Sequence, residues 1–214
     1  GRVFLTLIGI IIGIFTFTFF IFVSQGLSNA IAEQFNALGT NVLTIQRTED
    51  AGGTPTGSGI TDTEVEKVKQ VARNVDYVAP GIFYSARFEH GDERGFTIAI
   101  AYPDEYLNEV TEDMGLEIEE GRKLRSGDKG SVVIGYKFAK EAFEDEIDIG
   151  TSLSVDDEKF RVIGIVEEQG DLFVDSSVMM NFDDIKQIAD QDTYSVIRAR
   201  FQEGADLDYN QEVI

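Results

Sequence analysis

The feature that most constrains this chain is an uncharged apolar run from Val3 to Val23. At 1.5 Å per residue, a helix of that length is about 31 Å long, which matches the hydrocarbon thickness of a bilayer. A buried helix of a water-soluble protein rarely stays apolar on every face for so long. The run therefore predicts a transmembrane helix over residues 3–23.

A cleaved signal peptide is the main alternative to a retained membrane anchor. Ala30-Ile31-Ala32 is an acceptable cleavage motif, but the apolar run exceeds the roughly 7–15 residues of a typical signal core. Arg2 is the only charge before the run, so there is also little of the basic segment that opens a signal peptide. We expect the anchor to be retained in the cell membrane, with the N-terminus cytoplasmic and residues 24–214 extracytoplasmic.

Four small residues share one stripe of this predicted span. Gly9 and Gly13 form a G-x-x-x-G motif, and Thr6 and Thr16 extend the same face. Small side chains let membrane helices approach closely, and the contact is then stabilised by packing. The stripe therefore predicts a helix-packing surface against another transmembrane helix.

A second helical pattern follows the span. Leu27, Ile31, Phe35 and Leu38 recur at helical spacing, and Gly39 is a suitable residue to end a helix in the left-handed conformation. The pattern predicts a stalk helix over residues 24–39 that leads directly into the strand "NVLTIQ". The predicted joint between stalk and domain consists of Leu38, Gly39, Thr40 and Asn41.

The composition excludes several classes of function. The 39 acidic residues outnumber the 18 basic ones, for a net charge of −21, and such a surface repels nucleic acid phosphates. There is no cysteine, and the single histidine, His90, lies at a predicted turn. We therefore expect no nucleic-acid partner, no cofactor, no metal site and no catalytic residue, so the chain is not predicted to be an enzyme. Folding must then rely on an apolar core, predicted to include Val42, Ile45, Val68, Val133, Phe143, Val162 and Ile197.

The rest of the sequence predicts an α+β domain over residues 40–214. A capping box formed by Thr61 and Glu64 opens one helix, "YKFAKEAFEDEI" predicts another that buries Ala139, Ala142, Phe143 and Ile147, and "NFDDIKQIA" predicts a third with Asn181 as its cap. "DLFVDSSVMM" is predicted to be extended. Strand–helix–strand units at both ends enclose β-rich material, which indicates two lobes, one of them inserted.

An ordered set of segments resembles a known family. "LTLIGIIIGI", "LGTNVLTI", "EEGRKL", "SVVIGYKFAKEAF", "IGTSLSV" and "KFRVIGIVEE" are similar to the permease subunits of macrolide-exporter-type (MacB-like) ABC transporters, a group that includes lipoprotein-releasing and FtsX-like permeases. The chain departs from the family pattern at Ala101, where Gly is usual, and at Asn181, which lies near a position where Pro is frequent. Both positions are predicted to lie in turns.

The resemblance implies a function and a set of partners. It implies an extracytoplasmic domain moved through its stalk by an ATPase cycle, a cytoplasmic ATP-binding subunit or fused domain, a second permease copy, and three further spans in the same bilayer. Gly1 in place of Met, and a last helix that stops at Ile214, predict that the protein continues at both ends. The alternative is a single-span, membrane-anchored extracellular binding protein, which would lack the further spans and the adjacent ATPase.

Overall fold

The computed structural model describes residues 13–21, 41–47, 59–202, 204, 205, 207, 209 and 210. Residues 13–21 form helix α1 within one compact unit, Gly1–Thr40, and Asn41–Ile214 form a second. The other residues of the predicted span, including Thr6 and Gly9, and the whole predicted stalk lie outside the described residues. Within the described part of the chain, no helix has both the length and the apolar character needed to cross a bilayer.

The second unit is an α+β domain, as predicted. Its strands are β1 (Val42–Gln46), β2 (Val75–His90), β3 (Glu93–Ala101), β4 (Ile118–Gly121), β5 (Ser131–Ile134), β6 (Ser152–Val155), β7 (Glu158–Val166), β8 (Val178–Met180) and β9 (Val196–Phe201). Its helices are α2 (Asp62–Val71), α3 (Leu107–Asp113), α4 (Tyr136–Glu141), α5 (Leu172–Ser176) and α6 (Phe182–Ala189). The predicted strand–helix–strand units are β1–α2–β2 and β8–α6–β9.

The long strand β2 belongs to two sheets. Its first part, residues 75–81, pairs antiparallel with β9, which pairs antiparallel with β1. Its second part, residues 82–90, pairs with β3, and the pairing continues through β8, β5, β7 and β6. Because β6 pairs again with β2, at Phe88 and Glu89, these six strands close into a ring.

One continuous core joins the two sheets. It extends from Val78 and Ile197 of the first sheet to Phe88, Val132 and Leu153 inside the ring. The two sheets share this core because β2 is 16 residues long and contributes to both, and Asn41–Ile214 form one compact unit. The division into two lobes stays a prediction.

Most of the predicted core residues are buried. Val68, Val133, Phe143, Val162 and Ile197 are at most 9% exposed. Val42 and Ile45 are instead half-buried, because β1 is the end strand of its sheet. Residues at an end strand lack a neighbour on one side, so they bury less surface than those in the centre.

Two predicted elements have different bounds in the structure. Helix α4 ends at Glu141, and the following chain turns back so that the amide of Ile147 donates to the carbonyl of Ala139 at 2.9 Å. Phe143 and Ile147 are buried as predicted, but Ala142 is exposed, because it no longer lies on a helix.

The segment predicted to be extended contains the short helix α5. Asp171 caps this helix by accepting from the amide of Phe173 at 2.8 Å. Five residues are too few to show helical periodicity, so the cap was the available signal.

The two predicted helix caps are confirmed. The amide of Thr61 donates to Glu64 at 2.9 Å in a complete capping box. The side chain of Asn181 accepts from the amide of Asp183 at 3.0 Å at the start of α6.

Candidate functional site: where the chain enters and leaves the domain

The first and last strands bring the two ends of the domain together. The antiparallel pairing of β1 with β9 places Val42 opposite Arg200. The amide of Phe201 donates to the carbonyl of Asn41 at 2.7 Å, and the side-chain amide of Asn41 donates to the carbonyl of Gln202 at 3.3 Å. The start of the domain at Asn41 and the end of β9 at Gln202 therefore lie at adjacent positions of one sheet, a site we call the junction.

A third segment joins the junction at the start of β2. The amide of Gln202 donates to the carbonyl of Asn74 at 2.7 Å. Asn74 has φ 55°, in the left-handed region that Asn adopts more readily than most residues. The turn at Asn74 thus places its carbonyl against the amide of Gln202, just after β9.

Residues beyond β9 are held against the end of α2. Asn210 is 1% exposed. Its side-chain oxygen Oδ1 accepts from the backbone amide of Arg73 at 2.9 Å, and its Nδ2 donates to the backbone carbonyl of Arg73 at 3.3 Å. The guanidinium of Arg73 lies 4.5 Å from the ring centre of Tyr209. Sequence reasoning missed this clamp, since Asn210 carries no periodic signal within the predicted last helix.

Asn210→Ala should lower the free energy of unfolding by about 1–2 kcal/mol, because the backbone amide and carbonyl of Arg73 each lose a hydrogen-bond partner. Urea titration followed by circular dichroism measures this change. The matched control is Asn108→Ala, on the exposed surface of α3, which should be nearly neutral. Equal effects of the two substitutions would contradict the clamp.

The other face of β9 is tied to α3. The guanidinium of Arg200 donates to Asp113 at 2.9 Å, and the hydroxyl of Tyr77 donates to the second oxygen of the same carboxylate. Burial, reinforced by Asp113, raises the pKa of Tyr77 far above its usual value, so the phenol stays protonated and remains a donor. A displacement of β9 would therefore strain its contacts with α3 as well as its pairing with β1 and β2.

The predicted site residues are placed in part. Of the predicted joint, Asn41 lies in the junction, whereas Leu38, Gly39 and Thr40 lie outside the described residues. Of the predicted helix-packing stripe, Gly13 and Thr16 lie in α1, and a Cβ added at Gly13 would meet no heavy atom within 4 Å. The stripe remains a prediction.

Two further kinds of residue are relevant to catalysis or metal binding: the single histidine and groups of carboxylates. His90, at the end of β2, packs edge-on against the ring of Phe143, 5.8 Å away. In the described part of the chain, no group of three or more His, Asp or Glu side chains is arranged to hold a metal ion.

The sequence is similar to known proteins over most of its length. The family of MacB-like periplasmic core domains matches residues 3–214. An uncharacterized ABC transporter permease of Methanocaldococcus jannaschii is 34% identical over 211 residues, covering 98% of this chain and 52% of that protein. The macrolide export ATP-binding/permease protein MacB of Campylobacter fetus is 27% identical over 180 residues, covering 78% of this chain and 26% of that protein. The chain thus spans about half and about a quarter, respectively, of these relatives.

Solved structures share the fold. The periplasmic region of MacB from Actinobacillus actinomycetemcomitans has a TM-score of 0.62 at 17% identity, and covers 82% of this chain and 81% of its own. The extracellular domain of the noncanonic ABC-type transporter YknZ has a TM-score of 0.60 at 17% identity, covering 79% and 88%. Since the family match extends over nearly the whole sequence, this chain belongs to the family of MacB-like periplasmic core domains.

Proposed function

We propose that this chain is the first span and extracytoplasmic domain of an ABC transporter permease, and that ATP-driven motion of its stalk moves the domain during export or extraction of a substrate. The observation that carries the proposal is the junction. Asn41 is hydrogen-bonded to the backbone of both Phe201 and Gln202. A displacement of the segment before β1 would therefore be transmitted directly to the end of β9.

The junction is suited to transmit force because it is braced on both faces. Asn210 holds the segment after β9 to the end of α2, and Arg200 holds β9 to α3 through Asp113. Each bond contributes only about 1 kcal/mol, but a displacement must strain all of them together. The domain would then move as a body.

The proposed membrane part comprises a span at residues 3–23 and a stalk at 24–39, with residues 40–214 outside the cytoplasm. In α1, Phe15, Phe17 and Phe20 are between 66 and 71% exposed. Apolar surface of this extent is unfavourable in water and is expected where lipid or another apolar surface covers it. The location is the cell membrane, with the N-terminus in the cytoplasm.

The proposed partners follow from the relatives. MacB of Campylobacter fetus is described as an ATP-binding/permease protein, whereas the Methanocaldococcus jannaschii relative is described as a permease. We infer that a cytoplasmic ATP-binding subunit, separate or fused, supplies the ATPase activity. A second permease copy, in a homodimer or heterodimer, would pack on the stripe Thr6, Gly9, Gly13 and Thr16.

Inserting Gly-Gly after Asn36 should uncouple the outer domain from the ATPase. Each glycine costs about 1 kcal/mol of helix stability relative to alanine, so the insertion softens the predicted stalk. The matched control is Ala-Ala at the same place, which changes length and register equally but keeps the helix stiff. In the complete reconstituted transporter, transport should fall in the Gly-Gly variant alone, while both variants continue to hydrolyse ATP.

The motion can be measured without a known cargo. These 214 residues contain no cysteine, so Glu112→Cys, on the exposed surface of α3, adds one site for a spin label to this domain. A second label is placed in the partner permease, and the distance between the two labels is measured before and after the ATPase is trapped. The distance should change in the Ala-Ala variant and stay the same in the Gly-Gly variant. An equal change in both variants, or none in either, would refute the transmission of motion through the stalk. It would favour a membrane-anchored binding protein.

A further inference from the structure

A cleft of about 520 Å³ lies on the face of the first sheet that carries Thr44 of β1 and Arg198 of β9. The end of α3 and the segment that contains α5 close its other sides. Its volume is within the range of about 300–1,000 Å³ that is usual for small-molecule sites.

One wall of this cleft is aromatic. The ring of Phe83 lies 5.5 Å from that of Phe173 and 6.3 Å from that of Tyr102. Tyr102 is 3% exposed, and this burial raises its pKa to about 12, so its phenol is neutral. Phe173 is 39% exposed. The wall thus offers an uncharged aromatic surface that another apolar group would cover favourably.

The cation of the cleft, Arg198, has no carboxylate partner among the described residues. Its Nη2 donates over a long 3.4 Å to the backbone carbonyl of Asp113, and its Nε is buried without a hydrogen-bond partner. Its other neighbours are the hydroxyls of Tyr77 and Tyr102, which are neutral. A partly buried guanidinium without a counter-ion is costly, and a bound anion would offset that cost.

The two carboxylates that line the cleft do not fill this role. Asp113 accepts from Tyr77 and Arg200, and Asp171 accepts from two amides at the start of α5. Asp171 is also exposed, so water solvates its charge. Arg200 is also 3.6 Å from Asp76. What Arg198 lacks is therefore a carboxylate in direct contact, even though the chain as a whole carries −21.

We propose that this cleft binds a small organic anion, a single carboxylate carried on an aromatic or apolar body. The guanidinium of Arg198 receives the carboxylate through its planar set of N–H donors, and the body packs against Phe83 and Phe173. Long-range repulsion from the acidic surface is screened within about 10 Å at ordinary ionic strength, so contacts inside the cleft set the affinity. The site does not depend on the proposed function, since binding in the cleft needs no motion of the stalk.

Three probes with the same naphthyl body and polar groups of similar size test the sign of the charge that the cleft prefers. They are naphthalene-2-carboxylate, the neutral naphthalene-2-carboxamide and the cationic 2-naphthylmethylammonium. Dissociation constants are measured by probe fluorescence with the full 214-residue chain in lipid nanodiscs, and empty nanodiscs correct for partition into lipid. The carboxylate should bind at least about tenfold more tightly than the amide, because a charge-assisted pair replaces a neutral contact.

Matched variants assign the preference to the cleft. Arg198→Gln should remove it, whereas Arg161→Gln, on the exposed surface of β7 away from the cleft lining, should leave it intact. Phe173→Ala should weaken all three probes together. Arg198→Lys, which retains the charge, should keep the preference for carboxylate over amide and serves if the Gln variant proves unfolded by circular dichroism.

The proposal is overturned if the amide binds as tightly as the carboxylate, if the ammonium binds most tightly, or if no probe saturates. Retention of the carboxylate preference in folded Arg198→Gln would also overturn it. Because these measurements require neither ATP nor the partner subunit, their outcome is separate from that of the stalk insertions.

Discussion

Replacing Asp175 with Asn should lower the free energy of unfolding by about 3 kcal/mol. Asp175 is fully buried, and its two carboxylate oxygens accept from the amides of Gln169 and Gly170 at 2.9 and 3.0 Å. Asparagine keeps one acceptor but turns an NH₂ group toward the second amide, so two donors face each other in a buried position. Hydrogen bonds to a charged group are also stronger than those to a neutral amide.

Asp171→Asn is the matched control for this prediction. It removes the same charge only four residues away, but Asp171 is exposed and caps α5, and Asn caps a helix about as well as Asp. Urea titration followed by circular dichroism should therefore show a large shift for Asp175 and a change of less than about 0.5 kcal/mol for Asp171. Similar shifts for the two variants would mean that net charge, rather than the buried contacts, controls stability.

Replacing Gly135 with Ala should destabilise the domain by about 3 kcal/mol. Gly135 has φ −70° and ψ 156°, a conformation open to any residue, so the effect is not one of backbone strain. An added Cβ would instead lie 2.4 Å from the carbonyl oxygens of both Val174 and Asp175. Neither oxygen can yield easily, because each belongs to the backbone of α5, which is closely packed against the start of α4.

The control for Gly135 is Gly95→Ala, in β3. There an added Cβ would have a single neighbour, Cζ of Phe143 at 3.9 Å, which is an ordinary contact. Alanine also loses less conformational entropy on folding than glycine, so this variant should be neutral or slightly more stable. Thermal unfolding of the two variants measures the difference, and a Gly135 variant as stable as the control would show that the carbonyls of α5 move aside.

Local chemistry made much of the fold predictable. The capping box at Thr61 and Glu64 and the cap at Asn181 are satisfied by neighbouring amides, so a few adjacent residues specify them. The family could be recognised for a similar reason, since its segments recur in order along the chain.

The error at α4 shows where such reasoning fails. The periodicity of Ala139, Ala142 and Phe143 is compatible with a longer helix. The helix nevertheless ends at Glu141, because the chain that follows buries Phe143 and Ile147 in the core by turning back on Ala139. Tertiary packing outweighs helix propensity, which differs among ordinary residues by less than about 1 kcal/mol per residue.

The candidate sites depend still more on contacts distant in sequence. Asn41 was predicted as part of a joint, but its partner Gln202 is 161 residues away, and no local pattern relates the two. Nothing near Arg198 in the sequence indicates that it faces Phe83 and Phe173 without a carboxylate partner. The apolar run, the charge balance, the caps and the order of strands and helices follow from residues close together in the chain, where periodicity and capping act. The closed ring, the junction and the cleft follow from the pairing of β2 with both β3 and β9, because packing brings together side chains that the sequence keeps far apart.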